Sequence, residues 1–174
     1  MRLRVFYKSL IVFSLFYFLL GCSSGFNIKD GAAKSQLDVS VAGLGKKTGL
    51  GSIFSGSGYR LELYSYDISK CELKDRVVRL NPFNLEETIE IPANEKLHLF
   101  YFYTAVQALG SNFSKETCAR PIGFIANANH KYKFDFKLEP TRCTVKIVDM
   151  TNRREKPNML GIPNVCMKKR HPIQ

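Results

Sequence analysis

Five cysteines hold most of the latent chemistry of this 174-residue chain: Cys22, Cys71, Cys118, Cys143 and Cys166. A thiol can ligate a metal, attack an electrophile, carry a lipid or pair with a second thiol. No two of these cysteines form a Cys-x-x-Cys pair, so a structural zinc site is not indicated. His98, His130 and His171 do not stand at ligand spacing either. No Gly-x-Ser-x-Gly elbow marks a hydrolase nucleophile. The carboxylates Asp67, Asp75, Glu86, Glu87, Asp135 and Asp149 are scattered, and only the fold could bring a pair together. Gly45-Lys46-Lys47-Thr48 imitates the end of a phosphate loop. Lys47 displaces the required Ser/Thr, however, and Ser40 stands where the loop needs Gly. The expectation is therefore a chain without catalytic or metal chemistry, in which cysteines serve attachment and cross-linking.

Attachment is read at the N-terminus. Residues 1–9 carry Arg2, Arg4 and Lys8 and no acid, and Leu10–Leu20 is apolar apart from Ser14. That run is eleven residues long, against the 20 or so that a membrane-spanning helix needs. A basic start, a short apolar stretch and a small residue at its end make a removable secretory signal, residues 1–21. The run closes on Leu19-Leu20-Gly21-Cys22, followed by Ser23-Ser24. Here the chain resembles the bacterial lipoproteins, whose signal ends in Leu, a small or aliphatic residue, Gly or Ala, then Cys; Leu20 is bulkier than the family's usual residue. The resemblance implies a diacylglycerol on the Cys22 sulfur, cleavage after Gly21 and an N-acyl chain such as palmitate on the new amine, with no other cofactor. Ser23 rather than Asp after the cysteine implies the outer membrane. Two or three acyl chains make a stable anchor where one does not.

With Cys22 assigned to lipid, four cysteines remain, an even number that suits an oxidising compartment. The elements that would position them begin after a change of composition. Residues 22–58 are rich in Gly and Ser, with Gly43, Gly45, Gly49, Gly51, Gly56 and Gly58 close together. They read as a flexible tether spanning about 30 Å. Within it, Leu37-Asp38-Val39-Ser40-Val41 alternates and is a candidate first strand.

From Tyr59 to Met150 the period is two. Tyr59, Leu61 and Leu63 alternate with Arg60 and Glu62, and Ile89 and Ile91 with Thr88 and Glu90; Val77–Leu80 and Ile122–Ala126 are short apolar runs. Leu97–Thr104 is apolar on both faces and belongs in mid-sheet. Tyr132, Phe134, Phe136 and Leu138 alternate with Lys131, Lys133, Asp135 and Lys137, and Val145 and Ile147 alternate with Thr144 and Lys146. About seven strands predict an all-β, antiparallel β-sandwich of immunoglobulin-like or transthyretin-like kind over residues 59–150. Only Thr104–Phe113 leaves room for a short helix. If strand directions alternate, Cys71 lies at one end, Cys118 and Cys143 at the other, and Cys166 returns to the first. That favours Cys118–Cys143 and Cys71–Cys166 among the three possible pairings. A Greek-key order would upset it. The second bridge would pin an irregular basic tail, residues 151–174.

The chain has 26 basic residues against 15 acidic; without residues 1–21 the balance is 23 to 15, a net charge of +8. Such a surplus favours anionic surfaces. Arg153, Arg154 and Lys156, with Lys168, Lys169 and Arg170, are candidate contacts for anionic lipid or lipopolysaccharide. No platform of interleaved aromatic and basic residues supports nucleic-acid binding. The leading expectation is an anchored, non-enzymatic envelope module for a protein partner. Its plan is similar to that of small outer-membrane lipoproteins of type VI secretion machines, which implies a place in a secretion assembly. The alternative is a glycan- or lipid-binding module with Tyr64, Tyr66, Phe100 or Phe102 as anchors.

Overall fold

The computed structural model describes residues 25–42, 58–109, 112–139, 142–152 and 155–168. The strands are β1 (Lys34–Ala42), β2 (Gly58–Asp67), β3 (Glu72–Leu80), β4 (Glu86–Pro92), β5 (Lys96–Leu109), β6 (Asn112–Ile125), β7 (Lys131–Glu139), β8 (Arg142–Asp149) and β9 (Asn158–Leu160), followed by a short helix α1 (Asn164–Lys168). They form two sheets, ordered β4-β1-β7-β8 and β3-β2-β5-β6-β9. The protein is an all-β sandwich with nine strands among the described residues, two more than the sequence pattern predicts.

Every pairing is antiparallel except β1 with β7, which is parallel. Antiparallel pairs join an odd-numbered strand to an even one, and the parallel pair joins two odd ones. Strand direction therefore alternates with strand number within each sheet, the short β3–β4, β4–β5 and β6–β7 turns carry the alternation from one sheet to the other, and each described turn can be assigned to one of two ends. The segment before β1, the β2–β3, β4–β5 and β6–β7 turns, the exit from β8, and β9 share one end, called here the base.

Between the sheets lies a core of alternate residues: Leu37 and Val39 on β1, Leu61 and Leu63 on β2, Leu99, Tyr101 and Tyr103 on β5, and Tyr132, Phe134 and Phe136 on β7. Their neighbours Lys131 and Lys137 are exposed, as a period of two requires. Burying one such side chain contributes about 1.5–3 kcal/mol. On β3 the register slips between Leu63 and Tyr64, so that Val78 pairs with Leu63 and Arg76 with Tyr64. This β-bulge lets the consecutive Val77 and Val78 both face inward.

Three expectations change. Residues 22–58 are not a tether throughout: the candidate strand at Leu37–Val41 is present as part of β1, which lies between β4 and β7 with Leu37 and Val39 fully buried, and Phe26 also packs on the core. The sandwich therefore reaches back to Phe26, because alternation outweighs the surrounding glycine-rich composition. Of Thr104–Phe113, the described residues are strand and not helix: Thr104–Leu109 belong to β5, and Asn112 and Phe113 to β6. Thr104, Ala105 and Val106 continue β5 opposite Thr117, Glu116 and Lys115 of β6, and cross-strand pairing overrides local helix preference. The tail is not wholly irregular, since it contributes β9 and α1.

Candidate functional site

The cysteines form two bridges. Cys118 on β6 joins Cys143 on β8 across the sandwich, with 6.3 Å between Cα atoms. Cys71, in the β2–β3 turn, joins Cys166 on α1, with 5.1 Å between Cα atoms and 95 residues between them in sequence. Cys71 has a φ of +52°, a left-handed conformation that β-carbons disfavour. The turn holding it is closed by Asp67, which accepts hydrogen bonds from the Ser69 hydroxyl (2.6 Å) and amide (3.0 Å) and from the Lys70 amide (3.3 Å). The Ser69 hydroxyl does most to keep the Asp67 carboxyl far below the ordinary range.

The second bridge decides the fate of the outer face of the five-stranded sheet. Tyr66, Phe100, Cys71 and Cys166 form a second buried cluster there, joined by Ile68, Leu73 and Ile162. Tyr66 and Phe100 are in ring contact, with centroids 5.6 Å apart. As exposed ligand anchors these two are therefore corrected: the pinned tail covers them. Tyr64 and Phe102 lie at the margin of the cluster, half-buried. Beside them Glu62 is only 1% exposed. Its carboxylate accepts from Arg76 Nη1 (3.2 Å) and the Tyr64 hydroxyl (3.1 Å), and Arg79 Nε lies 3.8 Å away. Both arginines remain about half exposed. Aromatic and arginine side chains together are characteristic of protein interfaces.

The base gathers a different set of groups. Met150 leaves β8, Met159 lies on β9, and Val165 and Met167 flank the buried Cys166 on α1; all four are exposed, Val165 to 70%. Phe83, in the β3–β4 turn at the opposite end, is the remaining exposed large apolar side chain among the described residues, at 68%. The segment before β1 packs at the base through the Ala93 amide, which donates to the Ala33 carbonyl (3.0 Å), and the Asn129 amide, which donates to the Lys34 carbonyl (2.8 Å). Phe26, Ile28, Ala32, Ala33, Pro92 and Ala93 line a groove there of about 390 Å³. Also at the base, the His130 Nδ1 lies 2.7 Å from the Asp149 carboxylate.

The chain matches no known protein-family model, no curated protein and no solved structure. Function must therefore be argued from its own residues.

Of the sequence-predicted site residues, Cys22, Arg153, Arg154, Lys169, Arg170 and the signal 1–21 lie outside the described residues, as do His171 and the Gly45–Thr48 stretch. Lys156 and Lys168 are exposed. His98 lies over Gly123 on β6, where a β-carbon would meet its Cδ2 at 2.8 Å. Burial, then the charge of Lys96, pushes its imidazole below the usual value. Asp135 accepts from the Ser40 hydroxyl (2.7 Å) and pairs with Lys133 (3.0 Å). Among the described residues no three His, Cys, Asp or Glu side chains converge as a metal-binding group, and no helix is long and apolar enough to cross a membrane.

Sequence reasoning missed the exposed methionines at the base and the buried Glu62. Neither has a local signal. The first depends on which turns share an end, the second on which strands flank β2.

Proposed function

We propose that the chain is a lipoprotein of the bacterial envelope, anchored to the outer membrane through Cys22, that presents a disulfide-stapled β-sandwich to an envelope protein partner and performs no catalysis. The observation that supports it is the cysteine arithmetic. Cys71, Cys118, Cys143 and Cys166 are consumed by two bridges, which require an oxidising compartment. The one cysteine left over is Cys22, at the end of the lipobox-like Leu19-Leu20-Gly21-Cys22. The surface offered to the partner is the uncovered part of the five-stranded sheet, where Tyr64, Phe102, Arg76 and Arg79 surround Glu62. A place in a secretion assembly fits this plan of anchor and sandwich. A glycan- or lipid-binding role would use the same uncovered rings, Tyr64 and Phe102.

The intact mass of the protein extracted from its native membrane tests the anchor. The expected mass corresponds to a chain beginning at Cys22, carrying acyl chains and two disulfides, and the modification disappears in Cys22→Ser. An unacylated chain starting elsewhere overturns the reading.

A further inference from the structure

The geometry points to the base of the sandwich as a membrane-docking face, which lies on the leaflet that holds the Cys22 lipid and inserts Val165 and Met167 into it. This rests on the anchor reading above and adds an orientation that the anchor alone does not give.

The first argument is chain length. Phe26 is packed against the core, so four residue steps separate it from Cys22. Fully extended, they reach at most about 14 Å. A lipid on Cys22 would thus hold the base against the headgroups instead of letting the sandwich swing on a 37-residue tether.

The second argument is independent of the anchor. By strand register, the segment entering β1, the exit from β8, β9 and the bridge Cys71–Cys166 all lie at the base. Four of the five exposed large apolar side chains among the described residues lie on these elements: Met150, Met159, Val165 and Met167. Single exposed apolar residues are ordinary, but their concentration on one end marks a contact surface. On α1 the arrangement is enforced by the bridge. Cys166 is drawn inward, 1% exposed, which turns its neighbours Val165 and Met167 outward.

The third argument is charge. Six exposed lysines lie at this end, Lys29, Lys70, Lys96, Lys131, Lys156 and Lys168, against four exposed acids, Asp30, Glu72, Glu95 and Glu155, which leaves a basic surplus. Basic and apolar side chains side by side suit the boundary between headgroups and acyl chains, where lysine faces phosphate and the apolar group enters the hydrocarbon. The occupant is therefore the anionic leaflet itself, not a second copy of the chain or a soluble ligand.

The chain contains no Trp, so a Met167→Trp variant carries a single indole that reports its surroundings. The protein is extracted from its native membrane, its acylation is checked by intact mass, and it is reconstituted into phosphatidylethanolamine–phosphatidylglycerol vesicles containing brominated acyl chains. Phe83→Trp, at the opposite end and more exposed (68% against 44% for Met167), serves as the comparison. The expected result is a blue-shifted indole at 167, quenched several-fold more strongly than the indole at 83. Val165→Asp in the Met167→Trp background should remove the blue shift while leaving the melting temperature unchanged, since residue 165 is exposed. Equal, weak quenching at both positions on an acylated protein overturns the docking face and leaves the anchor standing. Stronger quenching at 83 overturns the orientation. An unacylated Cys22 overturns the anchor reading, and the chain-length argument falls with it.

Discussion

His130 Nδ1 lies 2.7 Å from Asp149 Oδ2 where the chain leaves β8, and the other oxygen of that carboxylate accepts from the amides of Thr151 (2.9 Å) and Asn152 (3.1 Å). Burial pushes the Asp149 pKa up, but the His130 hydrogen bond and the two amides outweigh it and leave the value below the ordinary 3.8. The unfolded carboxyl therefore takes up a proton at higher pH than the folded one. The stability contributed by Asp149 is present above its unfolded pKa and is lost as the pH falls through the lower, folded value. Asp149→Asn should lower stability at neutral pH and flatten the acid limb, as measured by urea melts repeated across an acid pH series. An unchanged acid limb would refute this account of the turn.

Tyr103 is fully buried and stacked on Phe136, with ring centroids 4.5 Å apart, yet its hydroxyl has no hydrogen-bond partner. An unsatisfied buried hydroxyl costs about 1–3 kcal/mol. Tyr103→Phe should accordingly raise stability by about 1 kcal/mol. Burial, then the charges of Glu116 and Tyr59, pushes the Tyr103 pKa up to about 12. Because the folded value exceeds the unfolded 10.0, this group's contribution is intact below pH 10 and lost as the pH rises toward the folded value. The variant should thus also withstand alkali better, which denaturant melts at alkaline pH would show.

Reduction of Cys71–Cys166 should release the tail from the outer face of the five-stranded sheet. A bridge closing so long a loop adds roughly 4–5 kcal/mol in the chain-entropy model. The double variant Cys71→Ser, Cys166→Ser should lose stability on that scale and expose Tyr66 and Phe100. A rise in binding of a hydrophobic dye, with the β-sheet circular dichroism signal retained, is the expected signature. Dye binding that stays at the wild-type level would show that Ile162 and α1 hold their place without the bridge.

Gly123→Ala should place a methyl group 2.8 Å from His98 Cδ2 and 3.1 Å from Leu160 Cβ. Overpacking of this kind costs about 1–3 kcal/mol. Since the closer contact is the imidazole, His98→Ala in the same chain should recover most of the loss. A double-mutant cycle in thermal melts measures that coupling, and strict additivity would exclude the contact as its cause.

The sequence reveals strands best where one face is wet. Lys131, Lys133, Asp135 and Lys137 outline β7 because solvent selects against apolar residues at those positions, and the inward Tyr132, Phe134 and Phe136 then stand out. The same logic fails for Thr104–Leu109, where Ala105, Gln107 and Ala108 suit a helix locally and only the partner strand β6 makes them extended. It nearly fails for β1, whose alternation is plain but whose glycine-rich flank reads as linker; its partners Ile89 and Phe134 are far away in sequence. The candidate surfaces are less legible still. Tyr64 and Tyr66 look equivalent along the chain, yet Cys166, drawn in from a distant segment, buries one and leaves the other at the rim.

The parallel pairing of β1 with β7 has a consequence for how the molecule comes to exist. Synthesis from the N-terminus delivers Leu37, Val39 and Val41 early, but their register partners Tyr132, Phe134 and Phe136 arrive almost last. Contacts of such high sequence separation form slowly, because loop closure must precede any gain from pairing. Until then the apolar side of β1 has one available neighbour, β4, and its other edge is open to strands of other chains. The step most sensitive to crowding or to a missing chaperone is therefore the capture of β1 by β7, and substitutions at Val39 or Phe134 should reduce the yield of folded protein more than its final stability would suggest.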